Sequence, residues 1–287
     1  MNEKSLEVCI LAAGFGKRMR SNTPKVMQSL AGRPLLGHLI NSVEKLNPDK
    51  IHVVVGPEID AVRQSFPSQN INWVTQTARL GTGHAVMQVM PYLGKDVRVL
   101  ILLGDAPLIT ANTMQELVNS DAPLTVLTST IDNPHGYGRI LRDHGESISA
   151  IVEERDATQQ QLLIKEINTG VMATNSKNLS EWLPKLSRTN AQGEFLLTDI
   201  VAIANEQAMV VSPFVTEDKL EVSGVNTFMQ LADLERSLQQ RYAKDLQEAG
   251  VHLVDPKRFD QRGELVCGSD VYIDANNIFE GHVTLGD

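Results

Sequence analysis

The chain has 287 residues and is 42% hydrophobic, which is enough apolar material for one large domain or two smaller ones. No stretch reaches the apolar length of a membrane span, and the opening Met1–Glu7 has no apolar core of the kind a signal peptide needs. The net charge of -9 argues against nucleic acid as the main partner, and any phosphorylated substrate would need a local positive pocket. Cys9 and Cys267 are the two cysteines, and Cys9 falls in the first apolar run. A buried free thiol is therefore expected rather than a disulfide, and a cytoplasmic location with it.

In chain order, Val8 to Leu11 is a short apolar run of the kind a buried strand needs. Val53 to Val55, Ile71 to Val74 and Val97 to Leu103 read as further strands, and Leu35 to Leu46, Ile59 to Phe66 and Gly83 to Leu93 as helices. This alternation predicts a mainly parallel sheet with helices on both faces. Ligands then sit beyond the carboxyl ends of the strands. From Thr125 to Thr174 the strand signals Thr125–Thr130, Gly138–Leu141, Ile148–Glu153 and Ile167–Ala173 predict completion of the sheet and a smaller ribbon walling a pocket. Phe228 to Ala249 has a long helical period in Leu231, Leu234, Leu238, Tyr242 and Leu246, closed by Gly250. Both a core-facing helix and a connecting rod fit that pattern. Near the end, Ile273, Phe279 and Leu285 recur every six residues, with Val271 and Val283 in an intermediate slot that Asn277 does not keep apolar. Coincidence is the alternative for so few repeats. Such repeats bury little until several coils stack, so a chain stopping at Asp287 is expected to be cut short.

The most informative stretch is Leu11-Ala12-Ala13-Gly14-Phe15-Gly16-Lys17-Arg18-Met19, followed by Pro24-Lys25. Glycines after a strand let the backbone approach a bulky anion with its amides turned outward. One residue separates Gly14 from Gly16, so the spacing is not that of a P-loop, and Met19 stands where the dinucleotide fingerprint needs a third glycine. The charge context strengthens a weak Gly-x-Gly. No acidic residue lies between Glu7 and Glu44, whereas Lys17, Arg18, Arg20, Lys25 and Arg33 do. A solvated basic face is the plainer alternative. Gly104-Asp105 also follows an apolar run directly. Asp105 could be a turn former. Facing the same crevice as the glycine loop, it is also a candidate hard-oxygen ligand for Mg²⁺. The seven histidines are scattered and the cysteines far apart, so no zinc site is expected.

Leu11-x-x-Gly14-x-Gly16-x-Arg18-Met19…Pro24-Lys25 resembles the signature of sugar-nucleotide pyrophosphorylases. The rest of the chain narrows the resemblance to the uridylyltransferase part of the bacterial bifunctional enzymes that make UDP-N-acetylglucosamine. The fold it implies is α/β: a Rossmann-like, mainly parallel nucleotidyltransferase domain (1–227) with a small β-rich sugar-binding subdomain. A helical linker (228–249) and the first coil of a left-handed β-helix (250–287) would follow, where the acetyltransferase domain of that family begins.

The resemblance also implies roles. Leu11, Ala12, Ala13, Gly14, Leu103 and Gly104 would contact substrate. Asp105 would share Mg²⁺ with Asn226 of Gly224-Val225-Asn226, a residue that by itself reads as a helix cap. Gln76 and a Gly81 backbone group would read the uracil edge, beside Thr82; a side-chain amide offers one donor and one acceptor, matching an imide and mismatching cytosine. An ordinary surface amide and a loop feeding a helix are the plainer readings there. Gly138, Glu153 and Asn168 would face the sugar, although Glu153 alone reads as a solvated strand end. Gly193-Glu194…Leu197-Thr198-Asp199 also matches the family but carries no definite role. Three positions depart from the pattern: Phe15 stands for a usual Lys, Lys17 for a Thr, and Leu103 for a Tyr.

The reaction implied joins UTP and N-acetylglucosamine-1-phosphate, with Mg²⁺, to give UDP-N-acetylglucosamine and pyrophosphate for peptidoglycan and lipopolysaccharide synthesis. Arg18 is assigned to the leaving pyrophosphate and Lys25 to the phosphates at the reacting centre, with Asp105 as the third catalytic residue. No nucleic-acid or membrane partner is expected. The full-length parent would be a homotrimer that also acetylates glucosamine-1-phosphate, and the truncated chain a monomer. The rival readings are a pyrophosphorylase for another sugar or base, and a non-catalytic sensor of sugar nucleotides.

Overall fold

The structure, a computed structural model, describes residues 5–14, 16–57, 59–67, 70–143 and 146–287. Phe15, the side chain of Lys17 and the opening Met1–Lys4 lie outside the described residues. The first half runs β1 (Leu6–Leu11), β2 (Ser29–Leu30), β3 (Arg33–Pro34), α1 (Leu35–Glu44), β4 (Lys50–Val55), α2 (Ile59–Arg63), β5 (Ile71–Thr75), α3 (Thr82–Val89), β6 (Arg98–Leu103), α4 (Ala111–Asn119) and β7 (Leu124–Thr130). Then come β8 (Arg139–Arg142), β9 (Ile148–Val152), α5 (Gln159–Leu162), β10 (Glu166–Asn175), α6 (Ser176–Trp182), α7 (Ile200–Glu206) and β11 (Val211–Thr216). The chain closes with α8 (Phe228–Glu248), β12 (His252–Leu253), β13 (Phe259–Cys267), β14 (Tyr272–Ile273) and β15 (Asn277–Leu285).

The main sheet has the order β11-β7-β10-β6-β1-β4-β5. Its pairs are parallel except where β10 runs against β6 and β7, so the mainly parallel expectation holds. The β8–β9 hairpin hangs from β10 through Ile167 and Arg139, and it is the predicted ribbon. Alternation along the strands feeds two cores. Val8, Ile10, Leu100 and Leu102 face α1 and α4, while Cys9, Val99 and Ile101 face α3, α6 and α7. Because both faces are covered, the strands read as unbroken apolar runs. Burial pushes the Cys9 thiol up to about 12, so it stays an inert packing group. Among the described residues, no helix is long and apolar enough to cross a membrane.

Helix α8 opens with a capping box in which Thr227 accepts from the Gln230 amide, and the chain leaves it through Gly250 at φ 96°. Beyond it the chain pairs with itself in parallel, His252 with Tyr272 and then Phe259 through Cys267 with Asn277 through Leu285. The constant 18-residue offset along β13 and β15 fits the path of one circuit of a parallel β-helix. Ile273, from the hexad, is buried there with Phe279 and Leu285 partly so.

Candidate active site

Strands β1 and β6 are parallel neighbours in register, Leu11 opposite Leu103, so their carboxyl ends deliver Leu11–Gly14 and Leu103–Asp105 side by side. The Gly104 amide donates to the Leu11 carbonyl at 2.9 Å. A Cβ on Gly104 would sit 3.1 Å from the Ala12 methyl and 3.2 Å from the Leu11 carbonyl oxygen, so any larger residue would press the two strand ends apart by a few tenths of an ångström. Gly104 therefore lies behind the wall of the site rather than on it.

After the glycine loop the chain turns at Pro24 into a single 3₁₀ turn that starts with Lys25 and buries Val26 in the core. Gly16 has φ 59°, and a Cβ there would lie 2.9 Å from the Lys25 Cβ. The glycine thus serves both the left-handed turn and the passage of the lysine stem. Lys25 is 9% exposed. Its ammonium pairs with Asp105 Oδ2 and donates to Asn226 Oδ1 at 3.1 Å. Arg18 Nη2 donates to the same Asn226 oxygen at 2.8 Å. The Val225 amide bonds the Asp105 carbonyl at 2.9 Å, which ties the Asn226 loop to the end of β6. Arg18, Lys25, Asp105 and Asn226 thus meet at one point. The helix cap, however, falls one residue later than the sequence suggested. Thr227 caps α8, and the Asn226 side chain is left to accept from the two cations, while the Asn226 and Thr227 amides donate to Gln230 Oε1.

Two cavities join there. One, of about 360 Å³, is lined by Leu11, Ala12, Ala13, Gly14, Lys25, Gln76, Gly81, Thr82, Leu103 and Asp105. The other, of about 310 Å³, is lined by Arg18, Thr82, Leu103, Asp105, Gly138, Glu153, Asn168 and Asn226. Both are within the size of small-molecule clefts. Thr82, Leu103 and Asp105 belong to both. Of the residues expected to contact substrate or metal or to carry catalysis, Gly104 is the one that lines neither.

The second cavity is walled by the ribbon. The Asn168 amide donates to the Gly138 carbonyl at 2.9 Å, and Asn168 Oδ1 accepts from the Gly170 amide at 3.0 Å. Gly170 has φ 80°, and any Cβ there would strike the Leu103 side chain. A leucine at 103 is thus packed over a glycine and forms the partition between the cavities. Glu154 carries the opposite loop, accepting from the Gly136 amide at 3.0 Å and from Arg139 at 3.3 Å. Burial holds the Glu153 carboxyl above its usual range, with Asp199 and Asp156 pushing the same way and a hydrogen bond from Thr198 opposing. Burial raises Tyr137 as well, with the Asp105 charge adding to it.

Four contributors were given no role from sequence. Arg79 Nε donates to the Ala13 carbonyl at 2.7 Å and lines the first cavity, bracing the glycine loop. Its signal was its place between Gln76 and Gly81. Phe195 bonds both sides of Gly81 through its main chain, its amide to the Leu80 carbonyl at 2.7 Å and its carbonyl from the Gly83 amide at 2.8 Å. Leu197 and Thr198 both line the second cavity, while Glu194 lines the first: the Leu197 amide donates to Thr82 Oγ1 at 3.0 Å, and Thr198 donates to Glu153. The Gly193–Asp199 stretch therefore contacts both walls.

The Bifunctional protein GlmU of Legionella pneumophila (strain Lens) is 48% identical over 290 residues, covering 99% of this chain and 63% of the relative. That of Methylobacillus flagellatus is 49% identical over 282 residues, covering 98% and 61%. The chain thus spans less than two thirds of the length of these curated relatives. Among solved structures, a UDP-glucose pyrophosphorylase complexed with UDP-glucose superposes with a TM-score of 0.65 at 14% identity, covering 83% of this chain and 99% of its own. The inositol-1-phosphate CTP transferase from T. maritima gives 0.60 at 17%, covering 82% and 98%. At those identities the likeness is one of fold. Residues 8–166, from β1 to the start of β10, match the family described as the MobA-like NTP transferase domain, and the chain belongs to that family.

Proposed function

We propose that the chain transfers the uridylyl group of UTP to N-acetylglucosamine-1-phosphate, releasing pyrophosphate and forming UDP-N-acetylglucosamine. The observation that carries this reading is the convergence of Lys25, Arg18, Asp105 and Asn226 where the two cavities meet. The cavity holding Gln76, Gly81 and the glycine loop suits a nucleoside triphosphate. The cavity holding Gly138, Glu153 and Asn168 suits a sugar phosphate. A sugar-phosphate oxygen attacks the α-phosphorus in line, and the bond to the bridging oxygen of the departing pyrophosphate breaks. The nucleophile is already ionised, since a phosphate monoester has a second pKa of about 6, so no general base is required. Catalysis is positioning plus charge neutralisation. Lys25 serves the phosphates at the reacting centre and Arg18 the leaving pyrophosphate.

The residues fit a divalent cation. Asp105 Oδ2 and Asn226 Oδ1, two hard oxygen donors, converge on the single Lys25 ammonium, so a cation-sized point already lies between them. Mg²⁺ held by these two oxygens would supply further neutralisation of the transferring phosphates. We also propose that residues 1–227 form the nucleotidyltransferase unit, 228–249 a linking helix, and 250–287 the first coil of a hexapeptide-repeat unit. In a longer parent that unit would carry acetylation of glucosamine-1-phosphate.

The test is pyrophosphate release from UTP and N-acetylglucosamine-1-phosphate, with Mg²⁺ omitted as control and thymidine and glucose analogues as competitors. Release that depends on Mg²⁺ and favours the uridine and N-acetylglucosamine substrates is expected. Faster turnover of the analogues would overturn the substrate assignment.

A further inference from the structure

Gln76 is 4% exposed, yet it lines the first cavity. Its Nε2 stands 3.1 Å from the Gly81 carbonyl oxygen and 3.0 Å from His84 Nδ1. A carbonyl oxygen only accepts, so the nitrogen end of this amide must face Gly81. Turning the amide over would set two oxygens against each other. His84 Nδ1 is placed to accept the second amide proton. The Gln88 amide nitrogen lies 3.3 Å from the other ring nitrogen and donates to the His84 carbonyl at 3.2 Å. Both Gln76 amide protons are thus used within the protein, and no hydrogen bond among the described residues engages its carbonyl oxygen.

His84 does not line the cavity. Its ring stacks on Phe195, with centroids 6.4 Å apart and planes inclined by 21°. Phe195 is the residue whose main chain brackets Gly81. The Gly193–Asp199 stretch, which carried no role in the sequence, thereby backs both groups that hold the Gln76 amide.

We propose that His84, backed by Phe195, is a positioning residue that fixes Gln76 so that only its carbonyl oxygen is offered to the ligand. The site then selects a base with a ring N–H at the edge it reads, an imide such as uracil, over one with a ring-nitrogen acceptor such as cytosine. This rests on the nucleotidyl-transfer reading above.

The experiment measures UTP and CTP, both as calorimetric Kd values without sugar phosphate and as pyrophosphate-release kcat/KM, on wild type, His84→Phe and His84→Asn. Phenylalanine keeps a ring against Phe195 without an acceptor, and the asparagine oxygen restores an acceptor near Nδ1. The UTP-to-CTP ratio should fall about tenfold or more in His84→Phe, as an amide held by the Gly81 carbonyl alone is less firmly fixed, and recover in His84→Asn. A merely structural role would lower both nucleotides together and leave the ratio unchanged, and an unchanged ratio in a folded His84→Phe overturns the proposal. A wild type with no preference between UTP and CTP would overturn the uridylyl reading itself, and this inference with it.

Discussion

Asp105→Asn removes one charge while keeping the side-chain shape. The Lys25 ammonium has Asp105 as its carboxylate partner and the neutral Asn226 amide as its other one. The side chains of the pair are 10% and 23% exposed, which is nearer the buried regime than the surface one, where pairs contribute about 0–1 kcal/mol. Two unit charges about 4 Å apart attract by about 4 kcal/mol at an effective dielectric of about 20. The desolvation cost of the ions, part of which the amide relieves, offsets a share of this. A net destabilisation of about 1–3 kcal/mol follows, and in a chain of this size each kcal/mol moves Tm by about 2–4 °C. The rate should fall further, by about 10²–10³ or more, because the same carboxylate would hold the metal at the transferring phosphates. The assay is pyrophosphate release at a temperature where a melting curve shows the variant folded, with saturating UTP, N-acetylglucosamine-1-phosphate and Mg²⁺. A lowered Tm with turnover within about tenfold of wild type would refute the catalytic role and leave Asp105 as a counter-ion for Lys25. The double variant Lys25→Met/Asp105→Asn separates the two effects, since it should regain part of the stability without regaining rate.

Gly81→Ala puts a Cβ at φ 113° against the Phe195 carbonyl, so the loop must shift; strain of about 1–3 kcal/mol should raise KM for UTP by about tenfold, and an unchanged KM would count against a nucleotide role for this loop. Glu153→Gln should melt higher than wild type at neutral pH while weakening sugar-phosphate binding. Burial, together with Asp199 and Asp156, raises the Glu153 pKa in the folded state, so the folded protein bears the full cost of the charge above that pKa. The gap in Tm should therefore be widest at high pH and close as pH falls through the raised value; a gap that grows on acidification would contradict the assignment. Thr227→Ala removes the α8 cap and should cost about 1 kcal/mol, seen as a lower denaturant midpoint.

The strands and helices flanking the site were legible because both faces of the sheet are covered and the runs are continuous: β1, β4, β6 and α1 announce themselves. Leu11–Gly14, Gln76 and Leu103–Asp105 follow strand ends that the parallel topology must bring together. Less legible elements have physical reasons. β11 contains Pro213, which the edge position in the sheet tolerates but which reads as a break in a strand. α6 is seven residues long, too short to show a period beyond Leu179 and Trp182. The Asn226 side chain reads locally as a cap, and only the fold shows that Thr227 takes that task and leaves the amide oxygen to Arg18 and Lys25. Phe195 acts on Gly81 through its amide and carbonyl, groups common to nearly every residue, so no side-chain pattern could reveal the clamp.

The long helix packs into two separate apolar clusters. Leu234 and Leu238 pack with Met19, Leu30, Leu35 and Val225, the scaffold of the glycine loop and the Asn226 loop. Ala243, Tyr242 and Leu246 pack with Val251, Phe259, Val271 and Ile273 of the carboxyl-terminal coil. The join is polar. Glu235 accepts from the Ala31 amide at 2.7 Å, and Gln239, 1% exposed, bonds Glu235 at 2.8 Å and both the amide and the carbonyl of Gln261 at 2.7 and 2.8 Å. Gln239 therefore pairs with β13 as a neighbouring strand would, and a buried amide so fully bonded fixes register as well as proximity. One residue pair four apart on α8 links the hairpin beneath the glycine loop to the first coil. The helix is then a splint rather than a hinge, and the orientation of the coil is set from the same surface that positions Asn226.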